Sequence, residues 1–150
     1  MGARRFIPAA LYKKILAAVP IPCVDVVIAN GRKFLLVKRK NKPAQRKWWF
    51  IGGRIFKGET LQRALRRKLN EESDIKIFRV KKLLAAQETI FKSSAFGVPA
   101  HTVNSVFLVE TKEPGSMTKH SDYHEFRWFT RINKSWPLYV KKMLRLAGFK

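Results

Sequence analysis

The chain predicts an α/β fold, a mixed and twisted sheet held between helices. Two β-rich runs, residues 23–30 (CVDVVIAN) and 33–40 (KFLLVKRK), flank Gly31 and read as a hairpin. Leu61, Leu65 and Leu69 recur every fourth residue with Ala64 beside them, which is a helix with one face to bury. Residues 101–110 (HTVNSVFLVE) and the short run FRWFT read as further strands.

The elements follow in order. Ile7, Leu11, Ile15 and Ala18 have helical spacing, so an N-terminal helix is expected over residues 8–18, within segment 1–19, stopped by Pro20 and Pro22. Asp25 interrupts the apolar run of the first strand, and an acid there is either paired or functional. After the second strand come a loop, NKPAQRK, and the aromatic triplet Trp48, Trp49 and Phe50; either tryptophan suits a stacked base or the core. Residues 52–75 form a loop–helix unit. Strand-like pieces follow at 75–82 and 83–91, then a loop at 93–100 and the strand at 101–110. Residues 113–125 (EPGSMTKHSDYHE) are rich in turn formers and read as a loop before FRWFT. Ser135 is placed to cap a last helix over 135–148 that carries Trp136, Val140, Met143, Leu144 and Ala147 and ends near Gly148.

At 150 residues the chain is expected to be a single domain, and 46% hydrophobic residues argue against disorder. The formal net charge of +22 predicts attraction to anions. The 32 Lys and Arg residues are spread in short clusters, which favours a solvated surface over a dedicated nucleic-acid groove. One cysteine, Cys23, excludes an internal disulfide and suits a reducing cytoplasm, which is the expected location. No apolar run approaches the ~20 residues of a spanning helix, and the start reads as a mature N-terminus.

The chemistry concentrates in GGRIFKGETLQRALRRKLNEESDI, residues 52–75. Gly53, Glu59, Arg67, Glu71 and Glu72 fit the spacing G-x5-E-x7-R-x3-EE. A glycine turn lets backbone carbonyls approach an ion closely, and a helix then presents carboxylates at fixed angles. Here the chain resembles the Nudix hydrolase family, whose signature is G-x5-E-x7-RE-U-x-EE-x-G-U (U apolar). Lys68 stands where the family has Glu, which removes one ligand and adds a positive charge; Asp74 stands where it has Gly. The upstream stretch KRKNKPAQRKWWFIGGR resembles the GDP-mannose mannosyl hydrolase branch, which carries K-R-x-N-x-P-A-Q-x-x-W before GGR and also lacks that Glu.

The resemblance implies the Nudix α/β/α sandwich and a Mg2+ cofactor, with Mn2+ as an alternative ion. It implies Glu72 and the Gly53 carbonyl as metal ligands, with Glu71 the runner-up. Arg39 and Arg54 would contact the diphosphate or sugar, which suits a guanidinium fork. Asp25 falls at a position used near the sugar, and Lys68 is placed to touch the diphosphate. Glu59 would cap the helix or orient the loop, and Arg67 would hold the site rigid. A carboxylate is often recruited near Glu88. The branch also draws a histidine general base and a neighbouring ligand from the loop before its last strand. His124 and His120 compete for that base role, with Asp122 or Glu125 assisting; an imidazole suits a base working near neutrality. The substrate implied is a nucleotide sugar or nucleotide, most directly GDP-mannose or GDP-glucose cleaved to GDP and hexose. Two alternatives stay open: phosphoanhydride cleavage of a nucleoside triphosphate or ADP-ribose, and a weakly catalytic basic domain that binds RNA. No membrane partner is expected, and a homodimer is common in the branch.

Overall fold

The computed structural model describes residues 6–118 and 122–150. The elements run α1 (Ala9–Ala18), β1 (Ile21–Asn30), β2 (Lys33–Arg39), β3 (Trp48–Trp49), β4 (Ile51–Arg54), α2 (Leu61–Glu72), β5 (Arg79–Phe91), β6 (Ala100–Glu110), β7 (Tyr123–Phe129) and α3 (Leu138–Leu146). The described strands form one seven-stranded sheet, ordered β3-β2-β1-β6-β5, with β4 on β1 and β7 on β2. Strand β1 runs parallel to β6 along almost its whole length. Its other edge is shared. Ile28–Asn30 pair with β2, whereas Cys23–Val26 pair with β4. The site lies where β4 takes over that edge.

Alternation along β1 builds two cores. Val24, Val26 and Ile28 pack with Ala64, Leu65 and Leu69 of α2. Val27 and Ala29 pack with Val140, Met143 and Leu144 of α3. Because both faces are covered, β1 reads as a nearly unbroken apolar run. Leu16 of α1 packs on Ile21, Cys23 and Ala100, on the α3 side of β1. The expected α/β/α sandwich is therefore present. Among the described residues no helix is long and apolar enough to cross a membrane.

The buried stripe of α2 departs from the expected one. Leu61 is 39% exposed, and the stripe runs Ala64, Leu65, Leu69 and Glu72. A carboxylate thus occupies a core-facing position of the helix. Thr60 caps α2 by accepting the Arg63 N–H.

Several boundaries differ from the sequence expectation. Strand β5 is continuous, and the expected break between residues 82 and 83 lies among register shifts at Val80/Lys82 and Leu83/Ala85. An added residue on one strand bends the ladder without ending it. Residues 75–78 precede the strand; the Lys76 and Ile77 N–H groups donate to the Glu113 carboxylate instead. Strand β7 begins at Tyr123, three residues before the expected start, because pairing with β2 draws residues 123–125 into the ladder. Ser135 does not cap α3. Its N–H and hydroxyl both donate to Asn133 Oδ1, and Pro137 occupies the cap position. The predicted exit holds, since Gly148 leaves the helix at φ +97°, a conformation open to glycine.

Candidate active site

The loop before α2 is fixed by one ion pair. Arg67 Nε and a terminal nitrogen donate to the two Glu59 oxygens at 2.8 and 3.0 Å, a forked pairing. Arg67 also donates to the Arg54 carbonyl at 2.9 Å, and its guanidinium lies 3.7 Å from the Phe56 ring centroid. Glu59 accepts the Phe56 N–H at 2.7 Å. Arg67 and Glu59 therefore hold the loop in shape, the positioning role expected of them, while Thr60 takes the capping role left open for Glu59.

On the next turn of α2, Lys68 Nζ lies 2.8 Å from Glu72 Oε1 and 3.5 Å from Glu71 Oε2. The Lys68 and Glu72 side chains are only 13% and 6% exposed. Glu72 Oε2 is buried and has no hydrogen-bond partner among the described residues. Lys68 packs over Gly53: a Cβ at position 53 would sit 3.0 Å from Lys68 Cε. At Gly52 a Cβ would collide with the Asp25 carboxylate and the Val24 carbonyl, so only glycine fits there.

Asp25 and Gly52 face each other across β1 and β4. Asp25 is 5% exposed. It accepts a 2.6 Å hydrogen bond from the Tyr139 hydroxyl of α3, and Trp49 donates to it as well. Burial raises its carboxyl to about 7 against these donors and the nearby positive charges of Arg39 and Lys68. The same burial drives the Tyr139 phenol well above its usual range, helped by the Asp25 charge. Cys23 is pushed up to about 12, chiefly by burial, so it stays a thiol at neutral pH.

These groups border a cleft of about 750 Å³. Arg39, Arg54 and Lys68 give it a cationic side, with Glu71 and Asp122 at its margin. The Arg39 Nε–H donates to the Pro43 carbonyl at 2.7 Å, which fixes the fork at the end of β2. Arg54 lies against the Phe56 and Tyr12 rings, at 4.7 and 5.6 Å. Another part of the lining is polar and neutral. Asn104 Nδ2 donates to Thr89 Oγ1 at 3.3 Å, the Thr89 and Thr102 hydroxyls are 2.5 Å apart, and Thr102 donates to Asn104 Oδ1 at 2.9 Å. These bonds close a ring.

The cleft thus gathers Asp25, Arg39, Arg54, Gly53, Lys68, Glu71 and Asp122 from the sequence-derived set. Glu72 lies beneath it, paired with Lys68. His124 is exposed on β7 and does not line the cleft. One residue earlier, Tyr123 is 3% exposed, and its phenol is raised by burial and by the Glu72 charge, with Gly52 N–H donating to it. His120 lies outside the described residues. The residues around it are anchored: Thr118 Oγ1 donates to the Glu71 carbonyl at 2.5 Å, and the Lys40 N–H donates to the Asp122 carbonyl at 3.0 Å. Glu88 is exposed, and its neighbour Thr89 is the residue on the cleft. Glu125 pairs with Arg127 at 2.6 Å and with Lys38 at 3.8 Å. Trp49 is core, stacked on Tyr139 at 5.1 Å, and Trp48 packs edge-on against Phe129. Sequence reasoning missed Tyr12, Thr89, Asn104, Tyr123 and Tyr139. Only Tyr123 carried a signal, one position from the favoured histidine.

The family model for the NUDIX domain matches residues 19–133. The low-salt glycan biosynthesis protein Agl8 of Haloferax volcanii is 29% identical over 139 residues, covering 92% of this chain and 88% of that one. The ADP-ribose pyrophosphatase of Methanocaldococcus jannaschii is 33% identical over 114 residues, covering 76% and 64%. Among solved structures, the MutT NUDIX hydrolase of Burkholderia pseudomallei superposes with a TM-score of 0.71 at 20% identity, covering 87% of this chain and 99% of that one. The MutT protein of Methanosarcina mazei gives 0.69 at 18%, covering 87% and 95%. The chain belongs to the Nudix family, and its enzyme class is Nudix hydrolase.

Nudix hydrolases generally use divalent metals such as Mg2+, so the donors decide what this site suits. Among the described residues no group of three or more His, Cys, Asp or Glu gathers as a metal cluster. One feature does fit: the buried Glu72 Oε2, which has no hydrogen-bond partner among the described residues. Mg2+ is commonly held by one or two carboxylates plus substrate phosphates and water. Glu72 is the buried carboxylate here that would meet such an ion, with Glu71 next to it in the chain.

Proposed function

We propose that this Nudix hydrolase acts on a nucleoside diphosphate sugar, GDP-mannose or GDP-glucose, and releases GDP and hexose by attack of water at the anomeric carbon. The observation that carries this reading is the division of one cleft. Arg39, Arg54 and Lys68 present positive charge to a diphosphate, while the Thr89–Thr102–Asn104 ring and Asp25 present neutral or weakly acidic groups to sugar hydroxyls. With its carboxyl raised to about 7, Asp25 is partly protonated near neutrality and can donate to a hydroxyl as well as accept from one.

In this reaction the water oxygen bonds to the anomeric carbon. The bond from that carbon to the β-phosphate oxygen breaks, and its electron pair leaves with GDP. The guanidinium groups of Arg39 and Arg54 stabilise the departing charge. Glu72 and the Gly53 carbonyl would hold a divalent ion, which when bound would add to the neutralisation of the diphosphate. The water proton passes to His120, the histidine of the segment between Thr118 and Asp122. His124, exposed and off the cleft, has no part in the step.

The names of two relatives support a sugar-linked diphosphate. One is a glycan biosynthesis protein, and the substrate in the other's name, ADP-ribose, is a nucleoside diphosphate joined to a sugar. The second name also favours an alternative, cleavage of the phosphoanhydride. A panel of nucleotide sugars and nucleotides with Mg2+, with products read by phosphorus NMR, separates them. GDP plus free hexose supports the proposal. GMP plus hexose phosphate supports the alternative and removes the proposal.

A further inference from the structure

We propose that the Lys68 ammonium is a resident cation of the cleft, binding diphosphate oxygens whether or not a divalent ion is present. The inference rests on a diphosphate being the ligand and not on which bond is cut.

Lys68 projects from α2 across Gly53 of β4, with its stem against that glycine. Its ammonium is held by Glu72 at 2.8 Å and reaches Glu71 at 3.5 Å. An ammonium carries three N–H donors and no acceptor. Glu72 engages one fully, the Glu71 contact is longer, and Lys68 still borders the cleft. With its side chain only 13% exposed and on the cleft lining, Lys68 presents its ammonium to the cleft.

The second part is charge count. Lys68 takes one oxygen of the buried Glu72 and leaves the other without a partner. A carboxylate that already neutralises an ammonium is a poor ligand for a second cation, since bringing another charge into this buried spot adds repulsion and desolvation. The free protein should therefore hold a divalent ion weakly. Once a diphosphate binds, its own oxygens complete the coordination of one ion.

Two titrations test this. In EDTA at fixed ionic strength, calorimetry with GDP should show binding to the wild type. Lys68→Met should weaken it at least tenfold, and Lys68→Arg should keep it within threefold. Removing Lys68 strands Glu72, so Lys68→Gln is titrated as well; its amide still donates to Glu72 but carries no charge, and it should fall with Lys68→Met. Lys81→Met makes the same charge change at a surface ion pair with Glu110 and should leave GDP affinity within twofold. In the second titration, Mn2+ followed by electron paramagnetic resonance without nucleotide should bind Lys68→Glu at least tenfold more tightly than the wild type. The proposal is overturned if the wild type binds GDP only with a divalent ion. It is equally overturned if Lys68→Gln matches the wild type in EDTA, if Lys81→Met loses as much as Lys68→Met, or if Lys68→Glu gains no Mn2+ affinity. A protein that passes these tests but hydrolyses no nucleotide sugar keeps this inference and loses the proposed reaction.

Discussion

Asp25 and Glu72 are equally buried, each 5% exposed, yet the chain treats them in opposite ways. Asp25 is surrounded by neutral donors, the Tyr139 hydroxyl and the Trp49 indole, with cations only at a distance. Glu72 is bound directly by a cation on its own helix and keeps one oxygen bare. Neutral donors satisfy a carboxylate's lone pairs without fully offsetting the loss of water, so burial wins and the Asp25 carboxyl rises to about 7. A direct ammonium contact offsets charge but leaves geometry unfinished. One carboxylate is held by hydrogen bonds from neutral groups, the other by a direct ion pair.

The largest expected effect comes from breaking the charged member. Glu72→Ala leaves the mostly buried Lys68 with only its longer Glu71 contact, which should cost up to about 3–5 kcal/mol, a fall of roughly 10 °C in the melting temperature. The double variant Glu72→Leu with Lys68→Met should recover most of that stability while remaining inactive. If Glu72→Ala melts with the wild type, the pair is not the buried ion pair described.

The next effect concerns the proposed proton acceptor. His120→Ala should lower kcat by about 10²-fold or more, the usual range for a general base, whereas His124→Ala should stay within twofold. Steady-state kinetics on both variants decides between them.

The neutral-donor site makes a smaller, pH-dependent prediction. The folded Asp25 carboxyl lies above its unfolded value, so between about pH 4 and 7 the native state holds a proton that the unfolded state has released. Stability therefore falls as pH rises through that window and is flat above it. Asp25→Asn removes the effect. It should match or fall slightly below the wild type near pH 4 and exceed it by roughly 3 kcal/mol at pH 8, after about 1 kcal/mol of weakened hydrogen bonding. Denaturant unfolding at the two pH values checks the sign, and a variant less stable at both would end the assignment. Tyr139→Phe should have the smallest effect, about 1 kcal/mol of stability, with the inflection in stability moved to higher pH as the carboxylate loses a donor.

The same two carboxylates show what was readable in the sequence. Glu72 was legible because the motif around it is local: Gly53, Glu59, Arg67 and its partner Lys68 all lie within the run from β4 to α2, at fixed spacing. That Glu72 sits in the buried stripe was missed, because an apolar pattern alone points to Leu61. Asp25 was visible as an acid in an apolar strand, but Tyr139 stands 114 positions away, and no local pattern links them. The Thr89–Thr102–Asn104 ring was equally hidden, since it depends on the pairing register of β5 and β6. That Tyr123 and not His124 turns inward was hidden for a similar reason. Whether residue 123 or 124 turns inward is set by pairing with β2 and by the shift at Lys38/Arg39, not by the composition of the preceding loop.

Hydrolysis of GDP-mannose in oxygen-18 water tests the central claim most directly, by locating the broken bond. The account predicts the heavy oxygen in the released mannose, a two-dalton gain, with GDP unlabelled. Label in a phosphate of GMP or of mannose 1-phosphate would contradict it.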